Sequence, residues 1–407
     1  EKLKKYDLAE ADFTSAVLLD SKNLQNRGMF YERIKKYELA EADYKKAMEN
    51  SNENTSASDY LANLYKNTGK FDKALEIYNN NISKNPQNPD VYISRAQFYY
   101  SQKRFDEGDA DFNKAIQLKP DSERAYNIFA GELYKQRKFE KALEIINKLL
   151  KLNPTNIYTL QTRAQFYEAM HKTDLAEQDY NTIVNLSSTD EEKKEALQNR
   201  AFFYRFSHYY EKALKDYNTM IEMFPDDFDI LENRSSVYED MGKYELALED
   251  INKIIRQKPN EVSGYNARSS IYQKMGKYNE ALQDANFVIS KDPKDLYNYR
   301  NRAQIYSEMG KLELAKQDYN KMIYLDENGC AYVERGRFYL GNNQFDLAFA
   351  DYNTAIQKGL KNDGFMERGF ANLWLGKYDE GKQDFDKMDD KENESSKIII
   401  TLPLNKL

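Results

Sequence analysis

The chain is 407 residues long, 41% apolar and 31% charged, with a net charge of −7 and only 16 Gly and 8 Pro. That acidic balance excludes nucleic acid as an expected partner, because phosphate binding rests on excess Lys and Arg. One cysteine (Cys330) and two histidines (His171, His208) exclude a disulfide framework and a Cys/His zinc set, and scarce Gly and Pro favour helices over an all-β fold.

In chain order, residues 1–20 read as the second helix of an incomplete repeating unit. Ala9 and Asp12 repeat the spacing of Ala40 and Asp43. Glu1 is therefore expected to be a boundary with sequence missing upstream. No targeting segment is visible; an intracellular location is favoured, with a removed signal peptide left open.

From Ser21 the chain repeats with a period near 34 residues. Eleven units fill 21–388, starting at Ser21, Thr55, Pro89, Glu123, Ile157, Lys194, Phe228, Val262, Leu296, Gly329 and Asn362. With slots counted from each start, slot 8 is always small (Gly28, Ala62, Ser235, Gly369), slot 11 is Tyr in nine units, and slot 20 is Ala or Gly throughout. Apolar slots at 4, 7/8, 11 and then 17, 20, 24, 27 give two amphipathic helices per unit. Small residues at slots 8 and 20 let the backbones approach, and rings at slots 11, 17 and 24 fill the space around them. Gly69, Gly242, Gly276, Gly310 and Gly376 fall between the helices, where a left-handed C-cap is expected. Six of the eight prolines, from Pro86 to Pro293, occupy slot 32 and end the second helix.

Small, Tyr, Ala, aromatic and Pro at these offsets resemble the tetratricopeptide repeat (TPR) family over residues 1 to about 388. The resemblance implies an all-α, right-handed TPR α-solenoid superhelix of antiparallel helix pairs, with the first helix of each pair lining the concave surface. It also implies a non-enzymatic protein–protein interaction scaffold that holds an extended peptide or partner domain in that groove.

Two departures stand out. Between Arg163 and Arg200 the step is 37 residues, and Ser188 with Glu191, or Thr189 with Glu192, reads as a capping box that starts the next helix about one turn early. Slot 7 is Arg in nine units, and slot 23 is Asp in the same nine. In the other two, Leu61 accompanies Ile77 and Phe129 accompanies Ile145. This covariation predicts an Arg–Asp bridge between the two helices of one repeat, as in Arg268–Asp284 and Arg302–Asp318. Asp12 has no such arginine in the chain.

The outward slots of the first helices carry the candidate binding residues. Asn199, Asn233 and Asn301 (with Asn26) are spaced to hydrogen-bond a peptide backbone. Tyr158, Phe202, Phe206, Phe370 and Trp374, together with Tyr60, Tyr100, Tyr134 and Tyr297, are candidate ring anchors. From Asp229 onward this surface turns acidic (Glu232, Glu239, Asp240, Glu308, Glu334, Asp363, Glu367), which favours a basic or polar partner. No unit carries Lys at slot 5, so binding of a Glu-Glu-Val-Asp chaperone tail is disfavoured. No phosphate loop, nucleophile elbow or HExxH motif is present, and neither an enzyme activity nor a cofactor is expected. His171 and His208 fall in interhelical turns, and Cys330 reads as an inert structural thiol.

The tail, 389–407, begins polar and ends in Ile398-Ile399-Ile400-Thr401-Leu402-Pro403-Leu404. It reads first as a cap over the last repeat and second as a docking strand. The chain is short of any run of the roughly 18 apolar residues needed to span a membrane, so membrane insertion is not expected. Two further roles remain open: the recognition arm of a larger enzyme, or a structural subunit of a permanent assembly.

Overall fold

The computed structural model describes residues 2–50, 55–326 and 328–388. The tail and its expected cap lie outside the described residues. Two compact units divide the chain, residues 1–200 and 201–407. The first holds α1 (Lys2–Leu19), α2 (Leu24–Arg33), α3 (Tyr37–Glu49), α4 (Thr55–Asn67), α5 (Phe71–Lys84), α6 (Pro89–Ser101), α7 (Phe105–Leu118), α8 (Glu123–Lys135), α9 (Phe139–Leu152), α10 (Ile157–Ala169) and α11 (Thr173–Leu186). The boundary falls inside α12 (Asp190–Phe206). The second unit continues with α13 (Tyr210–Met223), α14 (Phe228–Asp240), α15 (Tyr244–Gln257), α16 (Val262–Lys274), α17 (Tyr278–Lys291), α18 (Leu296–Glu308), α19 (Leu312–Leu325), α20 (Cys330–Gly341), α21 (Phe345–Gln357), α22 (Lys361–Trp374) and α23 (Tyr378–Phe385). No strand occurs among the described residues.

Every repeat turns at slot 15 through a left-handed residue. Gly occupies it in five units. Lys35, Lys103, Arg137, His171, His208 and Asn343 occupy it in the others with φ between 56° and 63°. The amide after it donates back to the slot 11 carbonyl, as in Lys243 N to Tyr238 O at 2.8 Å, while Gly242 N donates to Glu239 O at 2.9 Å. These paired bonds satisfy the last carbonyls of the first helix and form a Schellman motif. The turn accounts for both histidines: each fills a backbone position, and no cluster of potential metal ligands is found among the described residues.

The expected capping box is the Thr189–Glu192 one. Glu192 N donates to Thr189 Oγ1 at 3.1 Å, and Thr189 N donates to the Glu192 carboxylate at 3.3 Å. This starts α12 at Asp190, four residues before the periodic position Lys194. At the other end of the chain, α2 begins three residues after Ser21, following a 3₁₀ turn Ser21–Asn23 in which Asn23 Nδ2 donates to the Ala16 carbonyl.

Small residues are required where rings cross them. A Cβ built on Gly28 would lie 2.5 Å from the Tyr44 ring, and one on Gly336 would lie 2.5 Å from Tyr352. Tyr44, Tyr217, Tyr352, Phe112 and Phe385, all at slot 24, are among the largest fully buried side chains.

A non-Gly residue held at positive φ costs roughly 1 kcal/mol. Lys103→Gly is therefore expected to stabilise the chain by up to about 1 kcal/mol. Gly242→Ala, which meets no atom within 4 Å, is expected to destabilise it by a similar amount through φ alone. Denaturant melts of both variants check the pair of opposite signs.

Candidate functional site: the first-helix face and its arginine supports

Eight slot 7 arginines form two-pronged bonds to the Asp of their own repeat. Arg268 Nε and Nη2 each reach the Asp284 carboxylate at 2.8 Å. Arg302 reaches Asp318 at 2.8 and 2.7 Å. Arg27–Asp43, Arg95–Asp111, Arg163–Asp179, Arg234–Asp250, Arg335–Asp351 and Arg368–Asp384 repeat the arrangement. The aspartates are 3–6% exposed, so the carboxylate is desolvated while the guanidinium keeps one edge toward solvent. Arg200 and Asp216 belong to different units.

The sequence reading missed a third partner. The remaining Nη1 donates to an Asn at slot 25 of the preceding repeat: Arg95 to Asn79, Arg163 to Asn147, Arg200 to Asn181, Arg234 to Asn218, Arg268 to Asn252, Arg302 to Asn286, at 2.6–2.8 Å. Arg335 reaches Asn320 and Arg368 reaches Asn353 in the same way. Arg95, Arg163, Arg234, Arg268, Arg302, Arg335 and Arg368 thus each tie three helices of two consecutive repeats. The slot 11 Tyr lies beside its carbon, as Tyr272 does beside Arg268 at 5.9 Å, adding a cation–π contact. Hydrogen bonding to Asp284 raises the Arg268 pKa against the opposing effect of burial, so the cation stays charged.

These supports hold the first helices, whose outward residues are the candidates. Tyr158 (65% exposed) lies in the first unit; Phe206 (75%), Tyr297 (54%) and Trp374 (62%) lie in the second. Phe202 and Phe370 are half-buried, and Phe370 meets Phe385 edge-on at 5.2 Å, so its ring is shared with the core. Asn199, Asn233 and Asn301 are partly exposed. Tyr60 stacks on Tyr44, and Tyr134 stacks on Phe166 at 4.8 Å.

Tyr100 does not face solvent. It is 6% exposed, its hydroxyl bonds Asp109, and it covers Gly108, where a Cβ would come within 2.4 Å of the ring. The Gly at slot 20, in place of Ala, was the available signal.

The acidic surface is also corrected. Asp240 accepts from Arg205 at 2.5 Å, Glu239 pairs with Lys274 at 2.7 Å, Glu308 accepts from Gln273 at 2.6 Å, and Arg337 bridges Glu334 and Glu367. These bonds tie neighbouring repeats together, while Asp229, Glu232, Asp240, Glu308 and Asp363 stay exposed. Cys330 is half-buried, and burial with the nearby Asp326 charge pushes its thiol pKa up, away from a reactive thiolate.

The same helices carry a carboxylate with a raised pKa. Asp59, at slot 5 of α4, is pushed up to about 6, because burial and the Asp90 charge, which both raise it, outweigh the lowering effect of Arg124.

Profiles described as tetratricopeptide repeat match residues 61–123 and 204–262, and a second such profile matches 21–54, 123–156, 262–295 and 298–328. The chain belongs to the tetratricopeptide repeat family. Its architecture is that of a TPR α-solenoid, built from helix pairs without strands among the described residues. Similar solved structures include a tetratricopeptide repeat protein from Parabacteroides merdae, with 22% identity over 67% of this chain and 93% of that one, at TM-score 0.38. Yeast Tom70 is similar at 14% identity over 94% and 95%, TM-score 0.43. The C-terminal part of a TPR protein from Cytophaga hutchinsonii is similar at 21% over 58% and 98%, TM-score 0.40. Among curated proteins, no sequence matches. No described helix of this TPR chain is long and apolar enough to cross a membrane.

Removing one partner of the Arg268–Asp284 pair strands a desolvated charge, at a cost of about 3 kcal/mol. Arg268→Leu with Asp284→Ile, the chain's own alternative pairing, is expected to recover most of that loss. A double-mutant cycle by chemical denaturation measures the coupling, and additive single losses would contradict it.

Asp59 gives a second expectation. Its folded pKa of about 6 stands above the ordinary 3.8, so the folded state binds the proton more tightly and the charged form opposes folding. Stability therefore rises as pH falls from about 6 toward 3.8. Asp59→Asn should raise the melting temperature above pH 6, with the gain shrinking below it, as melts across pH would show.

Proposed function

We propose that this TPR protein is a non-catalytic interaction scaffold that holds an extended peptide or partner domain against its first-helix face. The observation that carries the reading is the set of exposed rings on that face in the second unit: Phe206, Tyr297 and Trp374 are each more than half exposed. Large rings in water are costly and rigid, and such side chains are the usual energetic anchors of protein interfaces. The flanking Asn233 and Asn301 offer amide donors and acceptors for a peptide backbone, and Asn199 offers the same in the first unit. Tyr158 supplies an equivalent ring in the first unit.

Asp240, Glu239, Glu334 and Glu367 are each paired with Arg or Lys, which reduces the negative charge this face offers. Recognition there rests on apolar contact and hydrogen bonding more than on attraction of a basic segment.

Trp374 is the only tryptophan, which makes the test direct. Partner binding is expected to shift its emission to the blue as the ring is buried. Phe206→Ala and Trp374→Ala are each expected to weaken partner recovery in affinity capture by about tenfold or more, corresponding to about 1.4 kcal/mol. Unchanged recovery with both variants would reject the first-helix face as the binding surface.

A further inference from the structure

The leading half repeat exposes what every complete repeat covers. Slots 20, 24 and 27 of the second helix are buried in all eleven repeats from Ser21 onward, whereas Ala9, Phe13 and Ala16 at the same slots of α1 are half-buried. Asp12, at slot 23, is exposed and has no hydrogen bond or ion pair among the described residues. Its eight forked counterparts are 3–6% exposed. A groove of about 570 Å³ opens here, with Tyr6, Ala9 and Phe13 of α1 on one wall and Asn26, Met29 and Arg33 of α2 on the other. In a complete repeat this is the seat of the first helix, which packs on the second helix of its own repeat and on the first helix of the next, as α20 packs on α21 and α22.

Contacts elsewhere in the chain state what such a seat requires. The slot 7 Arg forks the slot 23 Asp of its own repeat, and here that Asp is Asp12. The slot 8 residue lies against the slot 24 ring, as Gly336 does against Tyr352, so only a small residue fits over Phe13. The slot 12 residue bonds slot 13 of the next repeat: Glu32 with Asn67, Arg205 with Asp240, Glu239 with Lys274, Gln273 with Glu308. At the groove slot 13 is Arg33, exposed and without a partner among the described residues, which calls for a carboxylate. Two unpaired charges of opposite sign thus flank an apolar seat.

The occupant follows from these features. A second copy packed through α1 across a twofold axis would bring Asp12, near the middle of that helix, against itself. α1 is also helical from Lys2 through slots 13–16, where every other repeat breaks at a left-handed slot 15 residue. Without that break the chain does not fold its own backbone over the groove.

We propose that the groove docks an amphipathic helix of a separate polypeptide, carrying Arg, a small residue directly after it, and Asp or Glu five positions after the Arg. The Arg forks Asp12, the small residue covers the Phe13 ring, and the carboxylate pairs with Arg33. Burial of Ala9, Phe13 and Met29 supplies the affinity, and the two ion pairs set register and direction. The groove lies in the first unit and does not depend on Phe206, Tyr297 or Trp374 binding anything.

Residues 157–169 carry the required pattern in Arg163, Ala164 and Glu168. A synthetic peptide of that sequence, held helical by a hydrocarbon staple and labelled for fluorescence anisotropy, tests the proposal on the intact chain. Binding is expected, with affinity reduced about tenfold or more by Asp12→Arg and by Arg33→Glu. The Arg163→Asp peptide should regain binding to the first variant, and the Glu168→Arg peptide to the second. Both altered residues are exposed, so the fold is kept, and Trp374→Ala should leave the peptide affinity unchanged. Absence of binding, or binding indifferent to Asp12 and Arg33, would overturn the proposal. Dimerisation of the chain in sedimentation, abolished by Met29→Glu, would also overturn it by assigning the groove to a second copy.

Discussion

A guanidinium held among three helices must place its N–H donors on acceptors, because an unpaired buried charge costs several kcal/mol. Here the acceptors come from two directions. The Asp two-pronged bond fixes the second helix of the same repeat against the first, and the Asn carbonyl fixes the second helix of the repeat before. A planar fork with fixed donor directions tolerates little sliding of any of the three helices. The small residue at slot 8, one position along, allows the close approach this requires, and the slot 11 Tyr lies beside the same guanidinium.

Helices of 13–14 residues, such as α16 and α17, are marginal alone, so each repeat depends on its neighbours. The arginine network and the slot 24 rings both carry that dependence across the gaps between repeats. Two repeats use an apolar substitute, and the substitutes are not equivalent. Phe129 stacks on Phe112 across the joint, whereas Leu61, itself 3% exposed, belongs to a buried cluster with Tyr44 and Tyr65.

With the spine secured from the second-helix side, the outward positions of the first helices are free to vary. They hold rings, amides and ion pairs in no fixed order, which is how one scaffold can present different surfaces from repeat to repeat. Some of that variety is itself structural: the Arg205–Asp240, Lys274–Glu239 and Arg337–Glu367 links join successive repeats. Charge in these links is therefore not charge offered to a partner.

The sequence by itself determined the period, the two helices per repeat, the left-handed turn at slot 15 and the Arg–Asp covariation. All of these are set by local spacing or by residues of the same repeat. It also carried the Asn at slot 25, recurrent in nine units, but nothing local says which way that amide reaches. Tyr100 turned inward because Gly108 leaves room for its ring, and Asp240 met Arg205 because stacking brings residues 35 apart side by side. The tertiary structure alone decided which rings stay in water and where a cleft opens. Helical periodicity assigns a residue to a face, while exposure depends on the shift between neighbouring repeats and on the volume of the side chain across the joint.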